Sequence, residues 1–166
     1  MNSPAVMSYK ISGSAPLTIT IGMPAAITLS AASSLARIPP VPRALPALMR
    51  AGKVQNRARR VGFDWPDVSG AMQALDSETM ELKQAVASGD TAAMEEELGD
   101  LLFSAVNVSR FIDIDAEQAL TGATDKFIRR FTVVEQLAAE RGVDLASASL
   151  EDLDRLWDEA KRHPSA

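Results

Sequence analysis

Met94, Leu98, Leu101, Ala105, Val108 and Ile112 recur at intervals of 4, 3, 4, 3 and 4 residues. That spacing returns side chains to one face of an α-helix and to nothing else in the structural repertoire. It occurs again in Val68, Met72, Leu75, Thr79, Leu82 and Val86, and Leu120, Ala123, Phe127, Phe131, Val134 and Ala138 follow a third helical pattern of threes and fours. Beyond residue 43 almost no stretch alternates with the two-residue period of a strand. The chain is therefore expected to be all-α, with helices long enough for a bundle. Each of the three stripes is expected to be a core face.

Local punctuation divides this helical region. "ALPALMRAGKVQNRARRVG" reads as a basic helix ending near Gly62, and "FDWPD" as a turn. Pro66 suits a first helical position and Asp67 a first turn. The second helix should run to about Ala87 and stop at "SGD", where Gly89 can adopt the left-handed conformation. Asp90 or Thr91 can cap a third helix reaching Ile112. Asp115 with Gln118 resembles a capping box for a fourth, ending near Gly142. Ser149 with Asp152 starts a short fifth that runs through Lys161. These form one domain over residues 43–163.

Residues 1–42 have a different character. They hold six of the nine prolines and no acidic residue. "LTITI" at 17–21 alternates like a short strand until Gly22 and Pro24 interrupt it. The expectation is a disordered leader. Its Gly, Pro and hydroxyl residues make a poor membrane span, and its broken apolar run makes a poor signal peptide. No membrane partner is expected.

Composition narrows the chemistry. The chain has no Cys, which removes disulfides, thiolate metal sites and Cys nucleophiles and agrees with a reducing, cytoplasmic compartment. Its one histidine, His163, lies at the C-terminal tail, a poor place for a catalytic base. The net charge of −5 argues against a general nucleic-acid-binding surface. Catalysis would have to come from carboxylates, Lys, Arg, hydroxyls and bound metal.

The carboxylates have a pattern of their own. On the third helix Glu97, Asp100, Ser104 and Asn107 form a polar stripe on the shoulder of the apolar one. On the second, Glu78 and Glu81 take the equivalent shoulder. A short connection makes the two helices antiparallel neighbours. Glu81 and Glu97 each lie eight residues from Gly89, and Glu78 and Asp100 each lie eleven. Four carboxylates thus come level beside a core. The positions four beyond them are Leu82, Ala85, Leu101 and Ser104, so i,i+4 salt bridges do not neutralise them. A solvated acidic face is one reading. A divalent cation is the other, and Mg²⁺ suits it because it takes hard oxygen ligands and keeps open positions for phosphate oxygens. Glu96, one turn before Asp100, can also reach such a site. Helix-dipole stabilisation is enough to account for Glu95.

Lys126 and Arg130, four apart, share a shoulder of the fourth helix. They could neutralise polyphosphate oxygens that a metal does not reach, or form an ordinary surface pair with nearby acids. Trp65 and Trp157 could stack on a nucleobase or pack in the interior.

Five ordered blocks, "KVQNRARRVGFDWPDV", "SETMELKQA", "EEELGDLLFSAVNVSR", "DKFIRRF" and "LDRLWDEAKR", resemble the MazG nucleoside triphosphate pyrophosphohydrolases over residues 44–162, above all the C-terminal catalytic domain of that family. The resemblance implies an all-α helical bundle completed by dimerisation. It implies Mg²⁺-dependent hydrolysis of nucleoside triphosphates to monophosphate and pyrophosphate, with Mn²⁺ as a substitute. Glu78 and Glu81 match two Glu of the family's metal motif, and Glu97 and Asp100 match its Glu-x-x-Asp. Lys126 and Arg130 match its phosphate-binding residues and Trp157 its base-contacting Trp. Ser77 replaces a further Glu, and Ala74 stands where some members place a phosphate-contacting Lys. Two other readings stay open: a narrow dUTP, dCTP or phosphoribosyl-ATP pyrophosphatase, and a helical dimerisation or regulatory module with weakened turnover.

Overall fold

Four polar side chains decide where four of the helices begin. In the computed structural model, which describes residues 6–9, 17–20 and 40–163, α1 spans Ala47–Arg60, α2 Val68–Ser88, α3 Thr91–Phe111, α4 Ala116–Arg141 and α5 Leu150–Ala160. The carboxylate of Asp67 accepts from the Ser69 amide, Asp90 from those of Ala92 and Ala93, and Asp115 from that of Gln118. The Ser149 hydroxyl accepts from the Asp152 amide. Each satisfies donors that the first helical turn leaves unpaired. Asp67 is thus the cap itself rather than a first-turn residue, and Pro66 lies outside the helix. A carboxylate 2.8 Å from the Ser69 amide fixes that boundary. Gly89 (φ 74°) and Gly142 (φ 65°) close α2 and α4 in the left-handed conformation, which L side chains adopt at a cost.

The chain divides into two compact units, residues 1–114 and 115–166. In the first, α2 and α3 pair as an antiparallel hairpin, and α1 lies along α3. Gln55, buried on α1, donates to the Phe103 carbonyl at 2.8 Å. Gly52 brings the α1 backbone close to Val106, whose methyl lies 3.6 Å from where a Cβ would stand. The Asp64 carboxylate ties the turn after α1 to the end of α3. It accepts from both terminal nitrogens of Arg110, one at 2.9 Å, and Arg110 also donates to Asn107 at 2.7 Å. This unit also contains two short strands, β1 Val6–Tyr9 and β2 Leu17–Thr20, paired antiparallel with Val6 opposite Thr20 and Tyr9 opposite Leu17. The strand expected at "LTITI" is β2. The rest of the expected disordered leader falls outside the described residues, apart from residues 40–42.

In the second unit α5 packs on the C-terminal part of α4. Val133, Val134, Ala138, Leu156 and Ala160 are buried together, with Leu137, Val143, Leu145 and Trp157 around them. An ion pair of Arg141 with Glu159 at 2.7 Å ties the two helices at the edge.

The stripes expected to be core are only partly so. Val68, Met72 and Val86 on α2 are exposed, as are Leu98, Ala105 and Ile112 on α3. The α2–α3 seam lies one shoulder away. It consists of Ala71, Ala74, Glu78, Glu81 and Ala85 on α2, and Glu97, Asp100, Ser104 and Asn107 on α3. Alanines let the backbones approach, and the polar stripe follows the same 3,4 spacing as the apolar one. On α4, Leu120, Phe127 and Phe131 are exposed, while Val134 and Ala138 are buried. The reason is length: α5 has 11 residues and α4 has 26. At 1.5 Å per residue α5 covers about 17 Å of a helix about 39 Å long.

Candidate metal centre

The acidic side chains are not beside the seam of the hairpin; they are in it. Glu78 is 4% exposed and Glu97 8%. Glu81 and Asp100 are half-buried. One carboxylate oxygen from each of Glu78, Glu81 and Glu97 lies within 4.8 Å of the others. The register expected from Gly89 therefore brings together three of the four acids as a potential ligand set. Asp100 falls outside that set, yet its negative charge helps to raise the carboxyls of Glu78 and Glu97.

Burial pushes the Glu78 carboxyl up to about 7, with the charges of Glu81, Asp100 and Glu97 adding to the effect. Glu97 is raised by burial and then by Glu81, Asp100 and Glu96. Asp100 is raised by burial and then by Glu96 and Glu81. All three rise for the same two causes, loss of water and like charge nearby. They also give Glu96 a place. It does not belong to the set of three, but it adds negative charge to Glu97 and Asp100. A residue one turn from Asp100 carries that signal in the sequence, and spacing leaves its role open.

Two oxygens of the cluster lack what a buried carboxylate needs. Glu78 Oε2 and Glu97 Oε2 are inaccessible to water and accept no hydrogen bond. Among the described residues no ion pair reaches Glu78, Glu97 or Asp100. A buried anionic oxygen is stable only with a donor or a cation against it. All-oxygen donors of this hardness fit Mg²⁺ or Mn²⁺. Ser77, in the place of a further acid, donates to Glu81 Oε1 at 3.0 Å. It removes one negative charge and fixes one carboxylate.

An open cleft of about 380 Å³ adjoins the cluster. Ser77, Met80, Glu81, Gln84, Ala85 and Ser88 line it from α2 and the end of that helix, and Ala93 and Glu97 line it from α3. It runs from two of the clustered acids toward the hairpin turn. Ala74, at the position where some members of the resembled family place a phosphate-contacting Lys, is buried in the seam.

The basic candidates belong to the second unit. Lys126 is exposed and Arg130 half-buried, and among the described residues neither has an ion-pair partner. Arg130 Nε is buried without an acceptor. An ordinary surface pair with nearby acids does not form. Trp157 packs at the edge of the unit's core, 5.3 Å from the Phe127 ring, and Phe127 stacks on Phe131 at 5.9 Å. Trp65 lies against α2. A Cβ on Gly70 would stand 2.7 Å from its ring, so any larger residue there would have to displace the ring. Trp65 is a packing residue of the α1–α2 turn.

Residues 67–134 match the MazG nucleotide pyrophosphohydrolase domain. That span contains Glu78, Glu81, Glu97, Asp100, Lys126 and Arg130. The chain is 45% identical over 126 residues to the nucleoside triphosphate pyrophosphohydrolase of Escherichia coli strain K12, covering 74% of this chain and 47% of that protein. It is also 45% identical over 117 residues to the nucleoside triphosphate pyrophosphohydrolase/pyrophosphatase MazG of Thermotoga maritima, covering 70% of this chain and 45% of that protein. A third relative, the uncharacterized protein YabN of Bacillus subtilis, is 56% identical over 68 residues, covering 41% of this chain and 14% of that protein. The chain spans about half the length of the first two.

Proposed function

From the match of residues 67–134 to the MazG nucleotide pyrophosphohydrolase domain, we propose that the chain hydrolyses nucleoside triphosphates to the monophosphate and pyrophosphate in the cytoplasm. The observation that carries this reading is the seam of the hairpin. Three carboxylates from two facing helices come within 4.8 Å, with buried oxygens on Glu78 and Glu97 left without a donor. Such an arrangement is unfavourable in a merely structural helix pair and is relieved by a divalent cation.

Glu78, Glu81 and Glu97 would hold Mg²⁺, or Mn²⁺ in its place, and Asp100 would complete the acidic set. A cation bound there supplies charge to polarise the α–β phosphoanhydride and lowers the pKa of a bound water. The protein's own groups do the remaining work. The Ser77 hydroxyl holds Glu81 in one orientation. A carboxylate of the set that is not fully engaged accepts the proton of the attacking water. Lys126 and Arg130, without internal ion pairs, bind the charge of the pyrophosphate. Trp157 contacts the base. The apolar side chains exposed on α2 and α3, among them Met72, Val86, Leu98 and Leu102, support a homodimer in which a second copy covers them.

Purified protein is incubated with Mg²⁺ and each common nucleoside triphosphate, and the products are identified. Pyrophosphate is expected, and Glu97→Ala or Asp100→Ala should abolish it. Orthophosphate as the sole product, or full activity in both variants, sinks the scheme.

A further inference from the structure

The net charge of −5 is the sum of two unlike regions. Residues 1–62 hold eight Lys and Arg and no acidic residue, whereas residues 63–166 hold nine Lys and Arg and all 22 acids. On α1 the cations of the first region are ordered. Arg50, Lys53, Arg57 and Arg60 follow 3, 4, 3 spacing, which sets them within about 80° of one another around the helix. Gln55, which anchors α1 to α3, lies on the opposite face. Arg50, Lys53 and Arg60 are exposed and Arg57 is half-buried. This stripe weakens the helix that carries it. Neighbours three and four apart bear the same charge, and Arg50 in the first turn meets the positive end of the helix dipole. The dipole accounts for Arg57, Arg59 and Arg60 in the last turn, but not for Arg50 and Lys53. α1 contains no acid, and among the described residues no ion pair reaches Arg50, Lys53 or Arg60.

A row of one sign without internal counter-charge complements a row of the other sign. A protein partner offers charges of both signs, which fix its register. A nucleic acid offers one sign at regular spacing. From Arg50 to Arg60 the stripe rises about 15 Å, the span of about four phosphates along one strand of a duplex. Three of its four members are Arg, whose planar fork takes phosphate oxygens in pairs. α1 has no aromatic residue on which an unpaired base could stack, which favours a duplex over a single strand. RNA duplexes are recognised through their 2′-hydroxyls and groove shape, features that a row of cations does not read, and DNA is left.

We propose that the exposed face of α1 binds the phosphate backbone of duplex DNA without regard to sequence. It is turned away from α3 and stands independently of the proposed hydrolysis. The full chain is titrated against a fluorescent DNA duplex of mixed sequence, and anisotropy is followed from about 20 to about 150 mM KCl. Affinity should fall with salt along a log–log slope of about −3 to −4, close to 0.9 for each phosphate neutralised. Arg50→Gln, Lys53→Gln and Arg60→Gln together should weaken binding about tenfold or more at the lowest salt and make the slope shallower by about 2 to 3. That variant should keep its helical circular dichroism, melt no lower than wild type because like-charge repulsion is gone, and release pyrophosphate from nucleoside triphosphates at the wild-type rate. Lys83→Gln, Arg155→Gln and Arg162→Gln together remove the same charge elsewhere and should leave binding within about twofold, because α1 is untouched. Wild-type protein without salt-dependent binding, or an equal loss in the two triple variants, overturns the proposal. So does a single strand or an RNA duplex of the same length that binds as tightly as the DNA duplex, or displacement of the duplex by poly-L-glutamate at equal charge concentration.

Discussion

The hairpin α2–α3 and the pair α4–α5 are both made of two helices in contact, and they solve the problem of contact in opposite ways. α4 and α5 bury Val133, Val134, Ala138, Leu156 and Ala160 against one another, so their contact is stabilised by removing apolar surface from water. α2 and α3 meet through alanines and acids, and leave Met72, Val86, Leu98 and Leu102 outside. The first arrangement closes an apolar core between its own helices, although Leu120, Phe127 and Phe131 of α4 stay exposed. The second has like charges inside and greasy side chains outside. On the proposed function a cation would answer the inner face and a second copy the outer.

The contrast breaks most sharply under truncation of the apolar pair. Leu156 is 3% exposed in a small core. Leu156→Ala should cost about 2–5 kcal/mol, measured by urea denaturation. If α4–α5 is stabilised by packing alone, that loss is the same at pH 5.5 and pH 8, and the same with EDTA or Mg²⁺. A loss that varies strongly with either condition would mean the two helix pairs differ less than their contacts indicate.

The acidic seam should behave in the opposite manner. The Glu78 carboxyl is raised from an ordinary value of 4.5 to about 7. A carboxyl with a raised folded-state pKa takes up a proton on folding between those two values. Its contribution is therefore most favourable below about 4.5, is lost as pH rises toward 7, and is flat above. Each tenfold gain in proton affinity corresponds to about 1.4 kcal/mol, so the metal-free protein should lose on the order of 1–3 kcal/mol between pH 4.5 and pH 7. Glu97 and Asp100, raised in the same direction, act with it as one coupled set. Glu78→Gln removes the titrating group, and its amide can donate to the neighbouring acids. In EDTA this variant should melt higher than wild type at pH 8 and show a flatter pH profile. It should also lose most of the stabilisation that wild type gains from Mg²⁺. Equal pH profiles for the two proteins would remove the buried charge as the feature that sets the hairpin apart.

The same contrast explains what can be read from the sequence. Helix ends are legible because a cap is local chemistry. Asp90, Asp115 and Ser149 do their work within three residues of where they stand, and Gly89 and Gly142 close the helices that precede them. The level placement of Glu81 with Glu97 is legible because it needs only a tight turn and a constant rise. Which stripe faces inward is not. Periodicity says that Leu98 and Ala105 share a face, and equally that Glu97 and Ser104 share one. It does not say which face meets the neighbouring helix. That choice depends on how closely two backbones approach, and Ala71, Ala74 and Ala85 let them meet through the polar stripe. On α4 the apolar pattern from Leu120 to Phe131 stays exposed, although Trp157 of α5 reaches Phe127, so periodicity alone gives a correct helix too long a core.

The smallest effect on the folded chain bears on the outer face. Leu98 and Leu102 are each 48% exposed. Replacing an exposed residue away from caps and cavities usually changes stability by less than about 0.5 kcal/mol. Leu98→Asp combined with Leu102→Asp should therefore leave the chain folded, with its helical circular dichroism intact. If a second copy covers these residues, the variant must bury two charged groups without partners at that interface, and association fails. Sedimentation velocity should then report a dimer for wild type and a monomer for the variant. A wild-type monomer, or a variant that still dimerises, would mean that the exposed apolar stripe of the hairpin is covered by something other than its own copy.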